Sequence, residues 1–311
     1  MTTHTLLAAP DTIQVGVIDR AHAPRLRVAS GDEVQLSTLN LWAGEVAFGD
    51  PFEKVVAARQ RYAGKGPHTI TGPIAVAGAR RGDVLRVDVL QLDVGPTAMN
   101  LMTPAGQSRG VLAADFPEGS VRHFRLDRET MTADFGYGIA VPLRPFLGIM
   151  GVAPPDDGVH VSSVPGPFGG NIDCAELVAG TTLYLPVWMD DAMFYAGDAH
   201  AAQGHGEVNG TAFETTMDSA RLRLTVETGR TLEAPQAETP THWITMDFDA
   251  DLHAAARRAL AAMVDFIAQR ADMPRVEAYR LCSVAADLVV TQMVNGNRGI
   301  HVKLAKNIFK T

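Results

Sequence analysis

The sequence predicts a mainly β protein in which a β-rich body precedes a smaller C-terminal lobe containing helices. Two observations predict the body: short segments alternate apolar and polar residues, and Gly and Pro recur too often between positions 64 and 180 for long helices. A third predicts the lobe, because apolar residues recur at helical spacing beyond a Pro-rich connector at 233–242. We therefore divide the chain into a β-rich body, 1–235, and a C-terminal α/β lobe packed on it, 236–311.

Three segments of the body are predicted to be half-buried strands, because a period of two places alternate side chains on opposite faces. Residues 85–89 follow an Arg-Gly-Asp turn, and residues 183–187 follow Gly180. Residues 222–226 alternate Leu or Val with Arg or Thr. Turn residues at the ends of such runs are typical of strands in an all-β body.

The C-terminal lobe is predicted to begin with a helix that runs through Arg270, with Asp249 or Asp251 as its N-terminal cap. One face of this helix carries an apolar stripe of Leu252, Ala256, Leu260, Met263 and Ile267. A second segment, about Val276 to Val294, is also expected to be helical.

Charge and composition exclude several classes of partner. The formal net charge of -8 repels phosphate backbones, so nucleic acid is not an expected partner. No apolar run approaches the roughly 20 residues that cross a membrane, and the N-terminus lacks the pattern of a signal peptide. The two cysteines, Cys174 and Cys282, form no paired motif, which is typical of a reducing compartment. We expect a cytoplasmic protein with no membrane partner.

Polar residues able to do chemistry are concentrated between positions 165 and 214. Asp198 and His200 are two apart after an apolar run, so on a strand they project from the same face. A carboxylate beside an imidazole is a common ligand pair for Zn²⁺. Asn171 and Asp173 repeat this spacing beside two glycines. The candidate ligands and bases of this stretch are Asp173, Asp198, His200, His205, Glu207 and Glu214.

Structural interpretations of the same residues stay open at this point. Asp198 and His200 fit a strand-end aspartate beside a hydrogen-bonded surface histidine, and Asn171 with Asp173 fits two Asx turns. Glu207 fits a salt-bridged loop carboxylate.

Four segments resemble the acetamidase/formamidase family, and together they cover most of the chain. They are the central block PGPFGGNIDC…TAFET (165–215), TGPIAVAGARRGDVLRVDV (71–89), RPFLGIMGVAP (144–154) and QMVNGNRG (292–299). The resemblance implies a fold of β-sandwich and barrel elements, and hydrolysis of the C–N bond of small amides such as formamide or acetamide. It also implies a homo-oligomer, a dimer or higher, and a divalent metal, with zinc the first choice and calcium an alternative.

The resemblance also implies roles for particular residues. Asp173, Asp198 and His200 become metal ligands, while Gln203 and Glu207 line the same site. Glu207 is our first choice for the group that carries a proton from water to the leaving ammonia, and Glu214 is the second.

Two departures from the family pattern suggest a different substrate. His205 replaces the usual Asp of Q-G-D-G-E, where it would stabilise the oxyanion or complete the metal shell. Phe168 stands where a shorter or more polar residue is frequent. With Phe168 and Asn171 expected to contact the substrate, these changes favour a cyclic or heteroaromatic amide.

Other interpretations assign catalysis to different residues. Cys174 is a possible nucleophile, although adjacent strand residues face opposite sides and a packing role is favoured. A Ser-Ser-Lys mechanism at 162–163 lacks a lysine between Lys65 and Lys303. His68 and His160 are either structural or reach the site from other loops.

A non-catalytic β-sandwich module that binds a small ligand or Ca²⁺ is the alternative from a different functional class. His200 does not suit calcium, which prefers oxygen ligands.

Overall fold

The computed structural model describes residues 1–104, 106–107 and 109–309, in which β-strand is the most common regular structure. The strands are β1 (Thr3–Leu6), β2 (Ile13–Val15), β3 (Val17–Asp19), β4 (Leu26–Ala29), β5 (Asp32–Thr38), β6 (Thr69–Ala77), β7 (Val84–Met102), β8 (Ser120–Asp127), β9 (Thr132–Gly136), β10 (Ile139–Pro142), β11 (Phe146–Gly151), β12 (Val159–Val161), β13 (Gly169–Asn171), β14 (Thr182–Pro186), β15 (Phe194–His200), β16 (Glu214–Glu227), β17 (Gln236–Glu238), β18 (His242–Asp249), β19 (Ala286–Gln292) and β20 (Arg298–Ala305). The helices are α1 (Phe52–Arg61), α2 (Leu252–Ala271) and α3 (Arg275–Ala285), with short 3₁₀ segments at Trp42–Gly44 and Lys306–Ile308.

The mainly β prediction is confirmed, and the three alternating segments are strands. They belong to β7, β14 and β16, and β7 lies between the other two in antiparallel register. Leu85, Val87 and Leu183 are buried in the main hydrophobic cluster, as the period of two predicts. α1 is a helix in a segment for which the sequence predicted none.

One 18-stranded sheet contains every described strand except β3 and β12, which pair with each other. Most pairings are antiparallel, and the main hydrophobic cluster is built from the inward faces of the body strands. β17 pairs with both β14 and β18, so the sheet continues from the body into the C-terminal segment. The boundary between residues 235 and 236 stays a prediction.

The C-terminal segment agrees with the sequence in its first helix and departs from it in the second. Asp251 caps α2 by accepting a hydrogen bond from the backbone N–H of His253. The predicted second helix is wrong beyond Ala285, where the chain becomes β19 and pairs with β20. Pairing of β19 with β20 outweighs the helical spacing that was predicted there, because β propensity depends on burial and cross-strand contacts.

A separate hydrophobic cluster fills the space between the helices and the end strands of this segment. Ala259, Met263 and Ile267 from α2 meet Ile300 and Val302 from β20. None of the described helices is long and apolar enough to cross a bilayer.

Candidate metal centre

Five neighbouring strands position the residues of the candidate site. β11 lies between β13 and β15, and β15 also pairs with β6 and β16. His200, at the end of β15, lies opposite Glu214 of β16. Directly opposed side chains of an antiparallel pair share one face of the sheet. The strand register therefore places the His200 imidazole against the Glu214 carboxylate.

His200 is surrounded by carboxylates. Its Nε2 lies 3.2 Å from Glu214 Oε2 and 3.4 Å from Asp198 Oδ2. Its Nδ1 lies 3.9 Å from Asp173 Oδ1, and Glu207 belongs to the same group, since Asp173, His200 and Glu207 each place a ligand atom within 4.8 Å of the others. We call these five residues the His200 cluster.

Burial makes this concentration of charge unusual. Every side chain of the His200 cluster is at most 6% exposed. Both ring nitrogens of His200, one oxygen of each aspartate and Oε2 of Glu207 have no hydrogen-bond partner of good geometry. Buried polar atoms without partners are costly, and four buried carboxylates repel one another. The arrangement is the one expected of groups that share a cation.

The pKa values of the cluster residues also reflect the burial of four carboxylates around one imidazole. Burial raises the pKa of Asp173 to about 7, with His200 opposing and Asp198 reinforcing that rise. Burial, reinforced by repulsion from Asp173, raises the pKa of Glu207 well above its usual range. Burial alone would lower the pKa of His200, but Glu214 and Asp198 attract its proton and raise the pKa instead. Burial alone would raise the pKa of Asp198, but His68 and His200 hold it at about 2. The cluster thus requires positive charge, whether as protons or as a metal ion.

The backbone is left-handed at three of the five residues. Asp173, Asp198 and Glu207 have φ angles of 49°, 55° and 46°. For non-glycine residues this conformation costs roughly 1–2 kcal/mol and is concentrated at functional sites. Asp198 and His200 do converge as predicted, but by a turned backbone at Asp198 rather than by simple strand alternation.

Gly148, in the middle of β11, packs directly against the His200 cluster. A Cβ atom there would lie 2.5 Å from Asp173 Oδ1, 2.7 Å from Asp198 Oδ2 and 2.8 Å from His200 Cε1. Only glycine leaves room for both carboxylates to reach the edge of the imidazole.

The donors fit a divalent metal in two overlapping groups. One group is Asp198, His200 and Glu214, and the other is Asp173, His200 and Glu207. The two aspartates predicted as ligands lie near His200 but on opposite ring nitrogens. Each group shares two residues with the predicted trio of Asp173, Asp198 and His200, and that trio stays a prediction. Carboxylate oxygen with one imidazole nitrogen suits Zn²⁺ better than Ca²⁺.

Two residues reach the cluster from distant parts of the chain. His68 Nε2 lies 3.8 Å from Asp198 Oδ2, and its Nδ1 forms a 2.8 Å hydrogen bond with Ser162 Oγ. Asn295 donates a hydrogen bond from Nδ2 to Asp173 Oδ2. The sequence indicated His68 as one of two options, but it gave no signal for Asn295.

The three residues predicted to bind the substrate, Gln203, Asn171 and Phe168, make different contacts. Gln203 donates from Nε2 to the backbone carbonyl of Asp173 at 2.8 Å, which leaves its buried Oε1 without a partner. Asn171 Oδ1 is also buried and unpartnered. Phe168 packs against His160 with ring centroids 5.6 Å apart.

His205 lies outside the His200 cluster. Its Nε2 is 3.4 Å from Glu176 Oε1, and its ring lies 5.2 Å from that of His301. The glycine-flanked loop turns between His205 and Glu207, so these two side chains contact different groups. His205, Glu176 and His301 form a separate group whose possible ligand atoms lie within 4.8 Å of one another, and the predicted role of His205 stays a prediction.

The two nucleophile alternatives differ in their surroundings. Cys174 is fully buried, and burial raises the pKa of its thiol to about 12, so this thiol is not an activated nucleophile. Ser162 has a base within reach, because its Oγ lies 2.8 Å from His68 Nδ1, but its side chain is fully buried and closed to a substrate.

A cavity of about 690 Å³ lies next to the His200 cluster and is separated from it by His68 and Asn295. His68 and Asn295 belong both to its lining and to the set of side chains that contact Asp198 and Asp173. α1 supplies part of the wall with Phe52, Val56 and Arg59. A small molecule entering from solvent would therefore meet the carboxylates through His68 and Asn295.

Comparison with known proteins gives consistent results. The sequence model described as the Acetamidase/Formamidase family matches residues 18–163 and 160–311. A crystal structure of an acetamidase from Bacillus halodurans is 30% identical, covers 98% of each chain and has a TM-score of 0.88.

Two curated relatives match over shorter lengths. An acetamidase from Mycolicibacterium smegmatis is 24% identical over 46% of this chain and 49% of its own length. A formamidase from Methylophilus methylotrophus is 23% identical over 58% of this chain and 56% of its own. The chain therefore spans about half the length of these curated relatives.

Proposed function

The chain belongs to the acetamidase/formamidase family, and on this premise we propose that it hydrolyses small amides with the help of a divalent metal. Water and the amide are consumed, the C–N bond is replaced by a C–O bond, and ammonia and a carboxylate leave. The names of the relatives support an amide as substrate, and the His200 cluster supplies groups suited to this reaction.

One observation carries the proposal: five buried ionisable side chains meet, and four of them, Asp173, Asp198, His200 and Glu207, have at least one polar atom without a partner. We propose that His200 is a metal ligand together with Asp198 and Glu214, with Asp173 and Glu207, or with both pairs. A divalent ion held there supplies Lewis acidity, which activates water and polarises an amide carbonyl. Zinc is proposed before calcium because an imidazole stands at the centre of both groups.

Glu207 is the proposed proton carrier. Its Oε2 is buried beside His200 without a hydrogen-bond partner, and burial raises its pKa well above the usual range. Glu214 is less free, because its Oε1 accepts a 2.8 Å hydrogen bond from the backbone N–H of Ala212. A carboxylate beside the reacting water can take its proton and return it to the departing nitrogen.

Asn171 and Gln203 are proposed to bind the amide nitrogen. Each has a buried side-chain oxygen without a donor, and an amide NH₂ group offers two. Phe168 packs against His160 and, like Asn171 and Gln203, is not part of the cavity lining, so a cyclic or heteroaromatic substrate stays a prediction. A lactam therefore belongs in the substrate panel as a test.

A non-catalytic calcium module is the second candidate, and His200 argues against it because calcium prefers oxygen ligands. Assembly into a homo-oligomer and a cytoplasmic location complete the proposal, and light scattering on the purified protein measures the first.

The test measures ammonia release and metal content together. Formamide, acetamide, a lactam and a heteroaromatic carboxamide are supplied to the purified protein, to EDTA-treated protein and to His200→Ala. His253→Ala, an exposed histidine at the start of α2, is the matched control. We expect zinc and ammonia release in the wild type and control, and loss of both in His200→Ala. Tightly bound calcium without turnover of any amide would favour the binding module instead.

A further inference from the structure

The cavity above the His200 cluster is larger than formamide or acetamide needs. Its volume of about 690 Å³ lies in the range of roughly 300–1,000 Å³ found for pockets that hold drug-sized ligands. Trp42 and Phe52 contribute apolar wall. The cavity can accept an acyl group that extends well beyond the reacting carbonyl.

The charged side chains described in the cavity lining are all basic. Arg59, Lys65 and Arg109 line it, and no Asp or Glu is among its described lining residues. This contrasts with the whole chain, in which 35 acidic residues outnumber 27 basic ones. A cationic recess in an acidic protein attracts anions and repels cations.

Arg59 is the most informative of these three cations. α1 presents it with Phe52 and Val56 on the face that lines the cavity, as the i, i+4 and i+7 spacing requires. Its Nη1 is buried without a hydrogen-bond partner, and the described part of the chain offers it no ion pair. Arg61, two residues along, is by contrast paired with Glu45 at 2.9 Å. A buried guanidinium nitrogen without a partner is costly unless a ligand supplies an anion.

We infer that the preferred substrate is an amide that also carries a carboxylate, which Arg59 binds while the amide group reaches the His200 cluster. The inference rests on the proposed function and names its substrate class. Arg109 adds to the positive field at the mouth, where its Nη1 would lie 3.1 Å from a Cβ on Gly296, next to Asn295. Hydrolysis of such a compound yields ammonia and a dicarboxylate.

The test compares substrates that differ only in charge. Succinamate and malonamate are each paired with a neutral amide of the same shape, 4-methylpentanamide and isovaleramide, in which an isopropyl group replaces the carboxylate. We expect kcat/KM to be higher for at least one anionic member by about ten- to a hundredfold, the effect of one charge-assisted hydrogen bond. Added salt should reduce this preference, because exposed charges such as Lys65 and Arg109 are screened.

Two variants locate the source of the preference. Arg59→Gln should lower the anionic-to-neutral ratio of kcat/KM by about tenfold or more, chiefly through KM. Arg257→Gln makes the same change on the exposed face of α2 and should leave the ratio as it is. Equal kcat/KM for both members of each pair, or a preference that survives in Arg59→Gln, would overturn the inference.

A binding measurement separates the two proposals. Calorimetric titration with succinate, the product anion, needs no turnover. If no amide releases ammonia but succinate binds the wild type and not Arg59→Gln, the anion site stands and the proposed function fails. If neutral amides are hydrolysed while succinate does not bind, the proposed function stands and the anion site is wrong.

Discussion

Replacing Gly148 by alanine should disable the site while leaving the fold in place. The added Cβ would lie 2.5 Å from Asp173 Oδ1, whereas ordinary contacts begin at 3.4 Å. That oxygen would have to retreat by about 0.9 Å, more than the roughly 0.5 Å within which functional groups must be held. Asp198 and His200 are crowded by the same atom, so no rotation of one side chain relieves the overlap.

The expected losses differ between stability and function. Overpacking of this kind costs about 1–3 kcal/mol of unfolding free energy. A displacement near 1 Å at reacting groups costs on the order of a hundredfold in rate. We therefore expect Gly148→Ala to melt cooperatively, to retain little metal by elemental analysis, and to lose about a hundredfold in kcat/KM for ammonia release.

Two glycine variants serve as controls. Gly151→Ala, in the same strand, would meet Gly170 N and Tyr195 Oη at 2.7 Å, so it carries a similar overlap outside the His200 cluster. Gly204→Ala meets open space. Wild-type metal content and turnover in Gly148→Ala would refute the reasoning, as would an equal loss of metal in both strand variants.

Three further predictions concern parts of the chain outside the reacting groups. Asp251→Ala removes the N-terminal cap of α2 and should lower the unfolding free energy by about 1 kcal/mol in urea titrations. An undiminished midpoint would contradict the cap. Cys174→Ala should keep turnover within about twofold, and iodoacetamide should not inactivate the wild type, because burial keeps this thiol protonated. Rapid inactivation that Cys174→Ala abolishes would restore the thiolate mechanism. The hydrogen bond from His205, together with that from Lys303, lowers the pKa of Glu176 in the folded protein. Stability from this group is thus present above its unfolded pKa of about 4.3 and is lost as pH falls below it. Glu176→Gln should flatten the acid limb of stability against pH, and an unchanged limb would show that the contact contributes nothing.

Local patterns predicted much of the fold because burial and periodicity act over neighbouring residues. The cap at Asp251 and the apolar stripe of α2 are of this kind, as are the alternating strands β7, β14 and β16. The segment after Ala285 could not be predicted in the same way. Its apolar residues fit helical spacing, but pairing with β20 decides its conformation.

The candidate site likewise contains residues that the sequence indicated and residues that it did not. Residues from 173 to 214 stand out because carboxylates, histidines and glycines are dense within one stretch. Gly148 and Asn295 lie outside that stretch, in the family-like segments 144–154 and 292–299, but the sequence assigned neither residue a role. His205 is close to Glu207 in sequence, yet its side chain contacts Glu176, and its predicted role stays a prediction. Nearness along the chain does not bring two side chains together where the backbone turns between them.

The contact between Asn295 and Asp173 has a consequence for how the protein matures. The His200 cluster draws on strands that begin near residue 69 and on a loop near residue 295, so its parts leave the ribosome far apart in time. The loop bearing Glu207 is also held by backbone hydrogen bonds between Gly206 and residues 291 and 293. A nascent chain therefore exposes its acidic groups to solvent until its last strands dock, and the proposed metal ion would bind only after this docking rather than direct the folding.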